Sequence, residues 1–184
     1  MKKKVVLVGA STGGPSQIKE LMCCINSISC TIIIIQHMKE DVLPFFIKDI
    51  QDTLNIDVKA TPLELDFTSS SIIICSHTSK IEKNGFVYSI KTDRENEYYT
   101  PDINKFFTSF SNYSSDFDVD VVILTGIGAD GVDGAKKLKL NGATIYAQDE
   151  KTSPVYGMPK AAYESGIVDK VMSIDEMKRY FKAL

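Results

Sequence analysis

The sequence predicts an α/β protein, doubly wound, whose mostly parallel sheet is flanked by helices on both faces, with a small β-hairpin inserted. Three observations predict it. Apolar, β-branched runs alternate with helix-length amphipathic stretches, the pattern of βαβ units. The strand-like runs are continuously rather than alternately hydrophobic, as strands covered on both faces are. Finally, glycine-rich turns follow the first and fourth of these runs, at the kind of strand-to-helix junction where open α/β sheets bind ligands.

Strands are expected near Val5–Gly9, Thr31–Gln36, Ser71–Cys75, Val119–Thr125 and Ala143–Ala147. The helical periodicity falls near Pro15–Cys24, Val42–Asp52, Asp102–Phe110, Asp130–Leu140, Met158–Glu164 and Ile174–Ala183. Pro15 suits a first helical turn, and Asp102 and Asp175 put negative charge at helix N-termini, where the backbone dipole favours it. Between Asn55 and Tyr99 the pattern breaks into short β-like pieces. There Lys83-Asn84-Gly85 reads as the turn of a hairpin joining Ile81-Glu82 to Phe86-Val87-Tyr88. Lys91 to Thr100 is polar and reads as a surface loop. No repeat or linker divides the chain, so residues 1–184 are expected to form one domain.

Composition excludes several classes. With 184 residues, a hydrophobic fraction of 43% and a charged fraction of 24%, the chain has the make-up of a globular domain. It is long enough to bury roughly 70% of its unfolded surface. Its apolar runs fall far short of the ~20 residues a membrane helix needs. The Met1–Val8 start superficially looks like a secretory n-region and apolar core, but Gly9-Ala10-Ser11-Thr12-Gly13-Gly14 ends the apolar run, so a strand followed by a turn is expected. A net charge of −3, with Arg94 and Arg179 as the arginines, offers no field for a polynucleotide. Cys23, Cys24, Cys30 and Cys75 lie beside apolar residues without a C-x-x-C spacing and are expected to be buried free thiols of a reducing cytoplasm.

Gly9-Ala10-Ser11-Thr12-Gly13 satisfies G-x-S-x-G between an apolar strand and a helix, the context in which a sharp turn presents a nucleophilic hydroxyl. The same turn could cradle an anion on a helix N-terminus or be purely structural, although it matches neither the dinucleotide nor the P-loop spacing. A serine needs a base, and the chain has two histidines. His37 follows four isoleucines and Gln36, at the sheet edge that presents Ser11, and is the stronger candidate. His77 follows a shorter run. Neither sits in a cluster of metal-ligand type, so no metal and no cofactor are expected. The carboxylate that would orient the imidazole could be Asp130, Asp133 or Asp149, and Asp130 could instead cap the helix that follows it. The order Ser11, His37, Asp130 is not the Ser, Asp, His order of ordinary α/β-hydrolases.

These blocks resemble the catalytic domain of chemotaxis protein-glutamate methylesterases, the CheB family. The resemblance is carried by Gly9-Ala10-Ser11-Thr12-Gly13-Gly14, Gln36-His37-Met38, Leu124-Thr125-Gly126-Ile127-Gly128-Ala129-Asp130-Gly131, Gln148-Asp149-Glu150 and Gly157-Met158-Pro159-Lys160-Ala161-Ala162, which occur in the family's order over nearly the whole chain. It implies a catalytic triad of Ser11, His37 and Asp130. The reaction implied is hydrolysis of glutamate methyl esters on the cytoplasmic signalling region of chemoreceptors, with methanol released, and often deamidation of receptor glutamines. Backbone amides of Thr12, Gly13 and Ile127 are candidates for the oxyanion site, and Met158, with Pro159, for the pocket wall or for packing at a helix start.

Three departures stand out. Ile127 replaces a methionine usual in the family. Tyr99-Thr100-Pro101-Asp102-Ile103-Asn104 stands where a His-Arg-Pro-Ser-Val-Asp segment is common, and the stretch around Cys75-Ser76-His77 lacks the usual Ala-Pro-Gly, so no role passes to His77. Family members commonly carry a phosphorylated receiver domain ahead of this one. Because the chain starts almost on its first strand, with a methionine, no receiver is expected, and activity is expected to be constitutive or set by a separate protein. A monomer is expected.

Overall fold

The computed structural model describes residues 2–54, 58–65, 69–93 and 100–184. Its centre is β1 (Lys3–Ala10), six of whose eight residues are buried. It pairs in parallel with β2 (Thr31–Gln36) on one side, Val5 opposite Thr31, and with β8 (Phe117–Ile123) on the other, Val5 opposite Val119. Beyond β2 lie β5 (Ser71–Ile74) and β3 (Val58–Ala60). Beyond β8 lie β9 (Thr144–Gln148) and β10 (Lys170–Met172), giving the seven-stranded order β10-β9-β8-β1-β2-β5-β3. Every pairing is parallel.

Alternation along β1 divides the core in two. Val6 and Val8 face one layer, with Ile32 and Ile34, and are covered by α1 (Gly14–Met22), α2 (Leu43–Thr53) and α6 (Ile174–Lys182) through Ile18, Phe46, Ile50, Met177 and Phe181. Val5 and Leu7 face the other, with Ile33 and Ile35. That layer is closed by α3 (Ile103–Ser111), α4 (Val132–Leu140) and α5 (Met158–Glu164) through Phe106, Phe107, Phe110, Leu138 and Ala162. Burying one such aliphatic or aromatic side chain is worth about 1.5–3 kcal/mol, so the double coat explains why the strand sequences carry no polar alternation.

The expected hairpin is β6 (Ser79–Asn84) with β7 (Val87–Thr92), reversed through Gly85 at φ 61°. It gains a third, antiparallel strand, β4 (Leu63–Leu65), and this small sheet packs through Ile81, Tyr88 and Ile90 on the α3 face. Strand β10 was not expected, and β3 and β4 fall among the short β-like pieces expected between Asn55 and Tyr99 without bounds of their own. Each has three residues and only one buried side chain, too little for periodicity to register. Of the stretch expected to be a loop, Lys91 and Thr92 belong to β7, while residues 94–99, which include Tyr99, lie outside the described residues.

Two further corrections concern local chemistry. Cys30 and Cys75 are buried, and burial pushes their thiols up to about 11 and about 12. Cys23, however, is exposed and Cys24 only half-buried, because α1 ends at Met22 and its apolar face is already spent on Ile18, Leu21 and Met22. Helix α4 starts at Val132, two residues later than expected, behind Gly131 at φ 92°. No helix among the described residues is long and apolar enough to cross a membrane.

Candidate active site

The three central strands end side by side, and the loops leaving them bring together three of the side chains expected to act. Ser11 follows β1 directly. Its N–H donates to the Thr125 carbonyl at 3.0 Å, and its own carbonyl accepts the Gly14 N–H at 2.8 Å, which bends the chain sharply into α1. Gly13 takes φ 82° at the head of that helix, a conformation costly for residues with a Cβ. His37 follows β2, and its N–H continues the ladder to the Ala10 carbonyl at 2.9 Å. The His37 Nδ1 lies 3.1 Å from Ser11 Oγ, and the Nε2 lies 2.7 Å from Asp130 Oδ2. With the proton on Nε2, the ring donates to the carboxylate and offers the Nδ1 lone pair to the serine hydroxyl. The ring is thus presented the other way round from the protease arrangement in which Nε2 meets the serine, and either nitrogen can accept the proton.

Asp130 does not cap α4, whose N-cap is Gly131 without a side-chain bond. It serves a different helix. Its Oδ2 accepts the Ile103 N–H at 2.9 Å as well as the imidazole, and its Oδ1 accepts the N–H groups of Asn104 and Gly131, both at 2.9 Å. The first four N–H groups of a helix have no partner within it. At α3 all four are met: Asp102 N–H by Thr78 Oγ1 at 2.9 Å, Ile103 and Asn104 by Asp130, and Lys105 by the Asp102 side chain at 2.7 Å. Burial opposes ionisation of Asp130, but His37 and the two α3 amides more than offset it and hold the carboxyl below its ordinary value. Asp102 goes the other way: its partial burial, then the charge of Asp130, raise it despite the Lys105 amide.

The rival carboxylates point elsewhere. Asp133 is exposed and pairs with Lys136 at 3.0 Å, while Asp149 closes its own turn by accepting the Thr152 N–H at 2.9 Å. His77 pairs with Glu40 at 3.1 Å, apart from Ser11. Among the described residues, none accepts a hydrogen bond from the N–H of Thr12, Gly13 or Ile127, and no group of three His, Cys, Asp or Glu side chains could hold a metal ion. Ile127 is 65% exposed. Met158 is fully buried in the α5 layer, with its N–H on the Gly126 carbonyl at 2.8 Å. Its sulfur packs beside Gly126, where a Cβ would lie 2.4 Å from that sulfur and 2.6 Å from Ser11 Cβ.

Three further residues support the site, and no sequence motif marks their role. Thr125 Oγ1 donates to the Thr12 carbonyl at 2.8 Å and accepts the Val155 N–H at 2.9 Å. Gln148 Oε1 holds the Thr125 N–H at 3.1 Å. Gln36 lies under the serine turn, with its Nε2 on the carbonyls of Ser11 and His37. The available signal was a buried polar residue at the end of an otherwise apolar strand.

An open parallel sheet carrying serine, imidazole and carboxylate in line at its C-terminal edge defines an α/β protein with a hydrolase-type triad geometry on a framework other than the ordinary α/β-hydrolase. The chain belongs to the CheB methylesterase family, whose model matches residues 6–181. A protein-glutamate methylesterase/protein-glutamine glutaminase of Alkalilimnicola ehrlichii is 31% identical over 179 residues, covering 95% of this chain and 46% of that protein. The like-named protein of Oceanobacillus iheyensis is 34% identical over 187 residues, covering 96% and 52%. The chain thus spans about half the length of the curated relatives it matches. The crystal structure of the Thermotoga maritima CheB methylesterase catalytic domain superposes with a TM-score of 0.87 at 24% identity, covering 100% of this chain and 99% of that one. At that identity the likeness speaks for the fold.

Proposed function

We propose that this chain is a serine esterase that hydrolyses glutamate methyl esters on the cytoplasmic signalling region of chemoreceptors, in the cytoplasm, with Ser11, His37 and Asp130 as its triad. The observation that carries the proposal is the continuous chain of contacts from Ser11 Oγ through both imidazole nitrogens to Asp130. The protein glutamate methyl ester comes from the relatives' names, and the chemoreceptor from the resemblance of the sequence blocks. Thr12, Ile127, Gly128 and Ala129 around the serine are exposed, which suits a side chain offered by another protein. All three groups come from one chain, so the chemistry needs no second copy.

Ser11 Oγ attacks the ester carbonyl while Nδ1 of His37 takes the hydroxyl proton. Asp130 holds the Nε2–H and stabilises the imidazolium without taking its proton. The tetrahedral oxyanion is assigned to the unspent amides of Thr12, Gly13 and Ile127. On collapse, the C–O bond to the methoxy group breaks, and His37 returns the proton to give methanol. Water, deprotonated by the same nitrogen, then releases the glutamate carboxylate from Ser11. A glutamine side chain entering the same site would release ammonia instead, the second activity named in the relatives. Methanol release from methyl-labelled receptor by wild type and Ser11→Ala tests the proposal. Release should fall at least 10³-fold in the variant, and equal release would overturn it.

A further inference from the structure

We propose that Gln36 is a positioning residue for this reaction, its side-chain amide locking the backbone of the nucleophile to the backbone of the base. The inference rests on the reading of Ser11 and His37 given above. The β1–β2 ladder ends with Ala10 opposite Gln36 and the His37 N–H on the Ala10 carbonyl at 2.9 Å. Past that point the two chains part. Ser11 turns toward β8, its N–H on Thr125, and His37 leaves the sheet for a loop. Gln36 spans the gap: its Nε2 donates to the Ser11 carbonyl at 2.9 Å and to the His37 carbonyl at 2.8 Å. The two hydrogens of one planar NH₂ group diverge at a fixed angle, so a single rigid group sets where both carbonyls sit. The 3.1 Å approach of Ser11 Oγ to Nδ1 is built on those two residues.

A structural plug at this place would need no polar atom. Gln36 is 1% exposed, and its Oε1 has no hydrogen-bond partner among the described residues. A buried acceptor left unpaired is a cost, and an aliphatic side chain of the same size would avoid it only by withdrawing the NH₂ donor from the Ser11 and His37 carbonyls. The amide cannot turn over to relieve it, because Oε1 would then face two carbonyl oxygens. Gly14 completes the arrangement: a Cβ there would lie 2.0 Å from Oε1, so only glycine leaves the amide where it is. An orphaned oxygen is retained along with an NH₂ that joins nucleophile to base.

The experiment compares wild type, Ser11→Ala and Gln36→Met in methanol release, in phosphonate labelling of Ser11 and in thermal unfolding. Gln36→Met should stay folded and lose roughly 10- to 100-fold in kcat, with KM within twofold and labelling slowed in parallel, because small misplacements of reacting groups cost rates of that order. A folded Gln36→Met protein with kcat within threefold of wild type would overturn the proposal while leaving the serine mechanism intact. Activity in Ser11→Ala would instead overturn the mechanism beneath it. Should Gln36→Met not fold, nitrogen-15 spectra of the wild-type protein decide. Both Gln36 amide protons should exchange more slowly than those of Gln51 and shift when Ser11 is phosphonylated, and unmoved resonances would refute the role.

Discussion

Replacing Asp130 by asparagine tests the site most severely, because one carboxylate serves the imidazole and the fold together. The carboxylate accepts four hydrogen bonds: His37 Nε2–H and Ile103 N–H on Oδ2, Asn104 and Gly131 N–H on Oδ1. An asparagine can keep its carbonyl on the latter pair, but its NH₂ then meets two other donors. The imidazole can relieve this only by moving its proton to Nδ1, and a protonated Nδ1 can no longer accept from Ser11. A wrong tautomer of this kind costs about 10⁴ in turnover, on the order of 5 kcal/mol of barrier. The buried Ile103 N–H loses its acceptor at the same time. With charge-assisted bonds worth about 1.5–3 kcal/mol each, the net loss of stability should be about 2–4 kcal/mol, or roughly 5–15 °C in Tm for a chain of this length. The pH dependence has a definite sign. Because the folded carboxyl is held below its ordinary value, its stabilisation is complete above the unfolded pKa of about 3.9 and is lost as pH falls through the folded value. The Tm gap between wild type and Asp130→Asn should therefore be full at pH 7 and close below about pH 4. Methanol release and thermal melts over that range measure both effects. A folded Asp130→Asn protein within tenfold of wild-type turnover, or a gap that widens in acid, would refute the assignment.

Two more outcomes follow from the same geometry. Gly126→Ala places a methyl against Ser11 Cβ and the Met158 sulfur, so phosphonate labelling of Ser11 should slow at least tenfold while the fold loses about 1–3 kcal/mol by urea unfolding; unchanged labelling would mean the loops yield freely. Asp102→Asn keeps a good N-cap on α3 but removes a charge whose carboxyl is raised by burial and by Asp130. A raised carboxyl means the folded protein binds the proton more tightly, so wild-type stability falls as pH rises through that group's titration. The variant should therefore gain on wild type between about pH 3 and pH 7, as read from Tm against pH.

What the sequence made legible follows from how far each interaction reaches along the chain. The strands β1, β2 and β8 carry buried runs on both faces and announce themselves, as does the G-x-S-x-G turn, whose whole mechanism lies within five residues. His37 could be located because a polar residue ending an isoleucine strand must lie at the sheet edge. Asp130 was one of three carboxylates in similar turns. What separates it from Asp133 and Asp149 is a helix end 26 and 27 residues upstream in the chain, a tertiary contact with no local signature. The short edge strands could not be delimited for the opposite reason, since β3, β4 and β10 each bury one side chain and are held by their neighbours' ladders rather than by their own pattern.

The placement of the site then has a physical cause. Strand β1 lies between β2, which the chain reaches through α1 on one face, and β8, from which it continues through α4 on the other. Loops at such a reversal leave in opposite directions and open a crevice at the carboxyl end of the sheet, and Ser11, His37 and Asp130 stand at its three adjoining strand ends. The carboxylate in that crevice must remain charged while buried, which isolated burial forbids. The N-terminus of α3 resolves this by turning two unpaired amides toward Asp130, while Thr78 and Asp102 satisfy the other two. Asp102, second acid at the same helix end, bears the consequence in a raised carboxyl. The end of one helix thus keeps the carboxylate that faces the imidazole ionised, and the acid that caps the helix is the one closer to accepting a proton.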